Sequence, residues 1–189
     1  MEGKVYFMKK IAVFLADGFE EIEGLTTVDM CRRAGIDVTT VSIKDTTEVL
    51  GSHNIPVKAD KLFEEVDFDE MDMVVLPGGL KGTENLEACE KVTDILKKFA
   101  EEKKFISAIC AAPRILGGLG LLEGQWATCY PGNEDKLKGA EVVADMAVIS
   151  NNFTTGKGMG TSIEFASAII TQLLGEEKAR EIEAQIQFS

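Results

Sequence analysis

The sequence predicts one α/β domain, a doubly wound and mostly parallel sheet with helices on both faces, and three observations carry that prediction. Apolar runs stand at 8–18, 71–79 and 105–110, and each ends on glycine or a cysteine followed by alanines. Amphipathic stretches of helical length alternate with these runs, as strand–helix–strand units require. No internal repeat, low-complexity tract or linker interrupts the 189 residues, a length that suits a single domain.

The elements follow in order. "MKKIAVFLADG" (8–18) is a continuous apolar run, the pattern of a strand covered on both faces. Residues 1–7 precede it and read as an extension, leaving 8–189 as the domain. "FEEIEGLTTVDMCRRAGI" (19–36) reads as a helix with carboxylates in its first turn, Arg32 and Arg33 in its last, and Gly35 as the cap. "IDVTTVSI" (36–43) is a second strand. An irregular stretch with His53 and Pro56 leads to "MDMVVLPGG" (71–79), a strand with a glycine turn, and "NLEACEKVTDILKKFAEEKK" (85–104) predicts one long amphipathic helix. "FISAIC" (105–110) is the next strand and "AAPRILGGLGLL" (111–122) a short helix broken by glycines. "WATCYPG", "AEVVADMAVISNN" and "FTTGKG" predict short strands and turns between 121 and 158. "TSIEFASAIITQLLG" predicts a well-capped helix from Thr161, and "EEKAREIEAQI" a second helix after Gly175.

Composition narrows the function. A formal charge of −12 repels phosphate backbones and anionic membranes, so nucleic acid and lipid are poor partners. Cysteines at 31, 89, 110 and 129 form no C-x-x-C pair, and His53 is the only histidine, so neither a zinc site nor a disulfide framework is predicted. That usage fits a reducing cytoplasm, and no run has the length of a signal peptide core or a membrane span.

In a doubly wound sheet, ligands sit beyond the carboxyl ends of the strands, where Asp17-Gly18, Gly78-Gly79 and Cys110-Ala111 all fall. Cys110 ends a strand and precedes a short helix, among Ala108, Ala111 and Ala112. It reads either as a small buried hydrophobe or as a nucleophile on a tight turn, its thiol acidified by the helix N-terminus. "LPGG" is either a plain turn or a cradle whose amides meet a substrate oxygen together with the amide of Ala111. Glu20, Glu21 and Glu23 suit a helix N-terminus whatever the function. Glu23 also heads the row Thr27, Met30, Ala34, which can turn inward, and a buried carboxyl there can stay protonated and hydrogen-bond a thiolate. Cys31 reads as helix core and Cys89 as the start of a helix.

Together "ADGFEEIE", "VVLPGG", "AICAAP", "TCYP" and "TGKGMGTSIEFA" resemble the ThiJ/PfpI superfamily, in the branch of the parkinsonism-associated protein deglycase, spoken of as DJ-one. The likeness runs from Met8 to about Gln185. It implies a flavodoxin-like fold, a homodimer and no cofactor or metal. It also implies Cys110 as the reactive residue, Glu23 as its carboxylic acid, and Gly79 and Ala111 as oxyanion amides beside Gly78. Three departures matter. Ala111 stands where PfpI-type proteases have a histidine, so the peptidase dyad is missing. Tyr130 stands where the animal branch has a histidine near the cysteine. His53 lies near the position of an arginine that reaches the site from the partner subunit, and reads as a loop residue or a site-lining one.

Two functions compete. One is a cofactor-free glyoxalase or deglycase acting on small aldehydes and dicarbonyls through Cys110. The other is an oxidative-stress sensor in which Cys110 is oxidised and held by Glu23 without turnover. A glutamine amidotransferase of class I is excluded, because its downstream His-Glu pair is absent.

Overall fold

Alternate residues of the first apolar run go to opposite sides of a sheet in the computed structural model, which describes residues 8–188. In β1 (Lys10–Leu15) and the residue after it, Ile11, Val13 and Leu15 enter one core while Ala12, Phe14 and Ala16 enter the other. A strand with both faces covered has no polar face to show, which is why the run reads as continuous. The extension expected at 1–7 lies outside the described residues.

The chain continues through α1 (Glu21–Arg33), β2 (Asp37–Ser42), β3 (Glu48–Leu50), β4 (Pro56–Lys58), β5 (Lys61–Leu62) and β6 (Met73–Leu76). Next come α2 (Leu80–Ala88), α3 (Glu90–Glu101), β7 (Phe105–Ile109) and α4 (Pro113–Gly118). After them stand β8 (Trp126–Ala127), β9 (Glu141–Val142), β10 (Ala147–Ser150), β11 (Phe153–Gly156), α5 (Ser162–Leu174) and α6 (Glu176–Gln185). Seven strands form the main sheet in the order β10-β11-β7-β6-β1-β2-β5. Every neighbouring pair is parallel except β10 with β11. Helices α1, α5 and α6 cover one face, with Met30, Cys31, Phe165, Ile169 and Ile182 in the core. Helices α2, α3 and α4 cover the other with Leu86, Leu96, Phe99 and Ile115. This is the doubly wound α/β architecture that the sequence predicts, and Cys31 is helix core as expected.

Three local expectations need correction. The long helix expected at 85–104 is two, with α2 opening earlier, at Leu80. Cys89 takes an extended conformation (φ −86°, ψ 103°); its amide closes α2 on the Leu86 carbonyl, and its carbonyl accepts from Thr93 in α3. Leu86 and Val92 would lie on different faces of one straight helix, and the break lets both be buried. The stretch around His53 is ordered as the antiparallel hairpin β3–β4. Helix α5 begins at Ser162, and the Thr161 hydroxyl engages Gly158 instead of capping the helix.

Candidate active site

Strand β7 delivers Cys110 one residue beyond its end, and there the backbone turns left-handed, with φ at +66°. A non-glycine residue in this region is strained and is held by its surroundings. The Cys110 amide donates to the Gly156 carbonyl of β11 at 2.9 Å, and its carbonyl accepts from the Tyr130 amide at 2.8 Å. The amide of Ala112 folds back onto Ile109 at 3.1 Å. These bonds pin both sides of the turn and force the side chain out at the strand end. Ala108, Ala111 and Ala112 are buried beside it.

Glycine at 78 permits the meeting that defines the site. A Cβ there would lie 2.6 Å from the Cys110 Cβ and 2.6 Å from Glu23 Oε2, so the three residues converge on space that only hydrogen can occupy. Gly79 follows at φ +87°, where a Cβ would strike the Gly18 carbonyl oxygen at 2.3 Å. The main-chain amides of Gly79 and Ala111 flank the Cys110 thiol and pull its proton affinity down.

Glu23 is 1% exposed, on the inward face of α1. Its Oε2 accepts from the Gly78 amide at 2.8 Å. Its Oε1 is buried with no hydrogen-bond partner, and the Cys110 thiol is the neighbouring side chain that pulls the carboxyl down. Burial pushes the carboxyl up to about 7, against the pull of Cys110 and the Gly78 amide, and the nearby charge of Glu20 adds to the rise.

The thiol corrects an expectation. Burial first, then the charge of Glu23, push Cys110 up to about 12, against the lowering effect of the Gly79 and Ala111 amides. Helix α4 has only six residues and starts three positions later, a short dipole to set against burial and a neighbouring carboxylate. Cys110 and Glu23 behave as two acids competing for a proton, one leaving near neutrality and the second held far longer. Near neutrality Glu23 gives up its proton before the thiol does, so a Cys110 thiolate requires the thiol proton to pass to Glu23.

The other predicted residues take different places. Tyr130 joins Cys110 through its main chain, and its half-exposed ring lies beside Gly158, where a Cβ would meet Tyr130 Cδ2 at 3.2 Å. His53, which has no acidic neighbour in the sequence, has one in space. Its amide donates to Glu21 Oε1 at 2.7 Å, and its Nδ1 lies 2.9 Å from Glu21 Oε2. The Ser52 hydroxyl donates to the same Oε2 at 3.1 Å. Burial opposes the ionisation of Glu21, yet the His53 ring and amide, the amide of Glu21 itself and the Ser52 hydroxyl together bring the carboxyl down to about 2. The exposed His53 is raised in turn, chiefly by Glu21. His53 thus clamps the β3–β4 loop to the first turn of α1, two residues from Glu23, and no hydrogen bond joins it to Cys110.

Two features escaped the sequence reading. Glu20 caps α1, its Oε2 accepting from the Glu23 amide at 2.8 Å. Its other oxygen, Oε1, lies 3.9 Å from Nδ1 of His53. A cavity of about 680 Å³ also opens beside the Gly79 turn, between Gly18, Leu50, Ser52, Leu80 and Lys81, and Cys110 does not line it. Only the adjacent carboxylates of "FEEIE" hinted at the first of these.

Residues 9–172 match the model of the DJ-1/PfpI family. The chain is 38% identical to Protein DJ-1 homolog B of Arabidopsis thaliana over 176 residues, 92% of this chain, and it spans 40% of that relative's length. A Pyrococcus abyssi protein named a deglycase is 33% identical over 153 residues, 80% of this chain and 91% of the relative. The structure of oxidized Toxoplasma gondii DJ-1 superposes with a TM-score of 0.92 at 36% identity, covering 96% of this chain and 99% of that one.

Proposed function

The chain belongs to the DJ-1/PfpI family, and from that premise we propose that it is a cysteine-dependent, cofactor-free enzyme acting on small reactive dicarbonyls. The reading is of glutathione-independent glyoxalase or deglycase type. Its main support is the left-handed Cys110, brought against the buried carboxyl of Glu23 across a glycine, Gly78, where no side chain fits. The Pyrococcus relative named as a deglycase points the same way.

In the proposed reaction the Cys110 thiolate adds to the aldehyde carbon of methylglyoxal or glyoxal. The carbonyl electron pair moves to oxygen, where the Gly79 and Ala111 amides hold it and the Glu23 proton neutralises it, giving a hemithioacetal. The Glu23 carboxylate then takes the hydrogen of that carbon as a proton, and the enediol is reprotonated at the neighbouring carbon. The product is a thioester, and water cleaves its C–S bond to release lactate or glycolate and the free thiol. One carbon is oxidised while its neighbour is reduced, so one water enters and no outside redox partner is needed.

A second reading keeps Cys110 as a peroxide sensor, oxidised to the sulfinate and held by Glu23. Two observations favour it: the unpartnered Oε1 of Glu23 and the oxidized state of the Toxoplasma relative. Purified protein and a Cys110→Ser variant incubated with several dicarbonyls separate the two, with acid product followed directly. Acid formed by wild type and lost in the variant supports the enzyme. Equal acid from both defeats it, and acid from neither, with peroxide adding two oxygens to Cys110, favours the sensor.

A further inference from the structure

We infer that Glu20 is a positioning residue for the Cys110–Glu23 pair, locking the Glu23 carboxyl onto the Gly78 turn with a like charge behind it. The inference rests on the reading of Cys110 and Glu23 as the reactive pair. Three hydrogen bonds close a ring. The Glu20 amide donates to the Gly78 carbonyl at 3.0 Å, the Gly78 amide to Glu23 Oε2 at 2.8 Å, and the Glu23 amide to Glu20 Oε2 at 2.8 Å. Each residue gives one bond and takes one, so the start of α1, the turn after β6 and the Glu23 side chain move as a unit. Cys110 enters the same unit at Gly78, where no side chain fits between it and Glu23.

The choice of glutamate is informative. Serine, threonine, aspartate and asparagine are the usual N-caps, and a longer side chain loses more freedom on being fixed. Glu20 is nonetheless held, its side chain 13% exposed, with one oxygen on the Glu23 amide and the other 3.9 Å from His53 Nδ1. A carboxylate so placed in little water disfavours a second negative charge on Glu23. It thereby favours the arrangement in which Glu23 carries the proton and sulfur the charge.

The ionisable groups that bear on Glu23 are Cys110 from the end of β7 and Glu20 from its own turn. Glu20 is faced by His53 from the β3–β4 loop, which also holds Glu21. His53, when charged, offsets the field of Glu20, so the test is run with His53 intact and as His53→Gln. The measurement is the rate of Cys110 alkylation by iodoacetamide from pH 5 to 9, read by mass spectrometry. Wild type, Glu20→Gln and Glu20→Ala are compared, with a thermal melt of each. The Gln variant keeps an acceptor for the Glu23 amide and loses only the charge. Its melting temperature should stay near wild type, while the lower inflection moves down by about half a pH unit and the rate at pH 7 falls about threefold. The Ala variant should show the same shift and melt earlier. Melting changes with no movement of the inflection in either variant would make Glu20 an ordinary cap and overturn the inference. Wild-type labelling that falls on Cys89 instead of Cys110 overturns the reactive-pair reading itself, so the two failures are distinct.

Discussion

The Gly78 amide stands 2.8 Å from Oε2 of Glu23, and a methyl group in place of the Gly78 hydrogen would lie 2.6 Å from that same oxygen and from the Cys110 Cβ. The turn thus supplies the donor that orients the carboxyl and the empty space that lets the thiol approach it. Gly78→Ala should separate the pair, at a cost of about 2 kcal/mol from overpacking. Cys110 alkylation at pH 7 should fall at least tenfold in a variant that still folds. Urea melts and mass-spectrometric labelling check both effects, and wild-type labelling in a folded Gly78→Ala protein would contradict the packing argument.

Glu23 should weaken the fold as pH rises. Its carboxyl is lifted from an ordinary 4.5 to about 7, so its contribution to stability is full below about 4.5 and is lost as pH climbs through 7. Replacing it with the isosteric amide removes that dependence. Glu23→Gln should gain roughly 3 kcal/mol over wild type at pH 8 and little or nothing at pH 4.5. Without the Glu23 charge, Cys110 should also alkylate faster at pH 9, while acid production from dicarbonyls disappears with the proton relay. Equal melting of the two proteins at pH 8 would refute the buried-carboxyl argument.

The Glu21–His53 clamp carries a different pH signature. Glu21, brought down to about 2, stabilises fully above its ordinary 4.5 and loses its contribution as pH falls from there toward 2. His53, raised by Glu21, contributes fully below its ordinary 6.5 and loses that contribution as pH rises through its folded value. The pair therefore acts at full strength between about 4.5 and 6.5. Glu21→Ala should cost about 2 kcal/mol there, since it strands the His53 amide and the Ser52 hydroxyl. Hydrogen exchange at residues 51–54 should rise with it, and unchanged protection would show that the loop is held by other contacts.

Tyr130 offers a test of rate. It stands where the resembling animal proteins have histidine, and a well-placed acid–base group contributes about 10²–10⁴-fold. Turnover of dicarbonyls should be detectable but slow. Tyr130→His should raise it and add an inflection near neutrality. Its main-chain bond to Cys110 survives the exchange, so loss of activity would argue that the tyrosine ring itself serves the reaction.

Self-association is the last expectation. Ile22 and Leu25 on α1 are 50% and 39% exposed, an apolar surface beside the site-bearing turn. Light scattering should give a mass near twice the 20.5 kDa of one chain. A monomer independent of concentration would reject the homodimer proposed from family membership.

The central strands, helix α1 and the reactive candidate Cys110 were legible because they rest on local pattern. An unbroken apolar run signals a strand covered on both faces, and a cysteine ringed by alanines at a strand end signals a crowded turn. The row Glu23, Thr27, Met30, Ala34 likewise announced which face of α1 turns inward. Tertiary structure alone decided the rest. The break at Cys89 follows from which sides Leu86 and Val92 must bury, and no local rule fixes that. Burial and a neighbouring carboxylate set the proton affinity of Cys110, overriding the short helix beyond it. His53 found its partner 32 residues away, a pairing invisible to spacing. Periodicity records what each segment must bury, whereas electrostatics depends on which distant segments the fold brings within a few ångströms of one another.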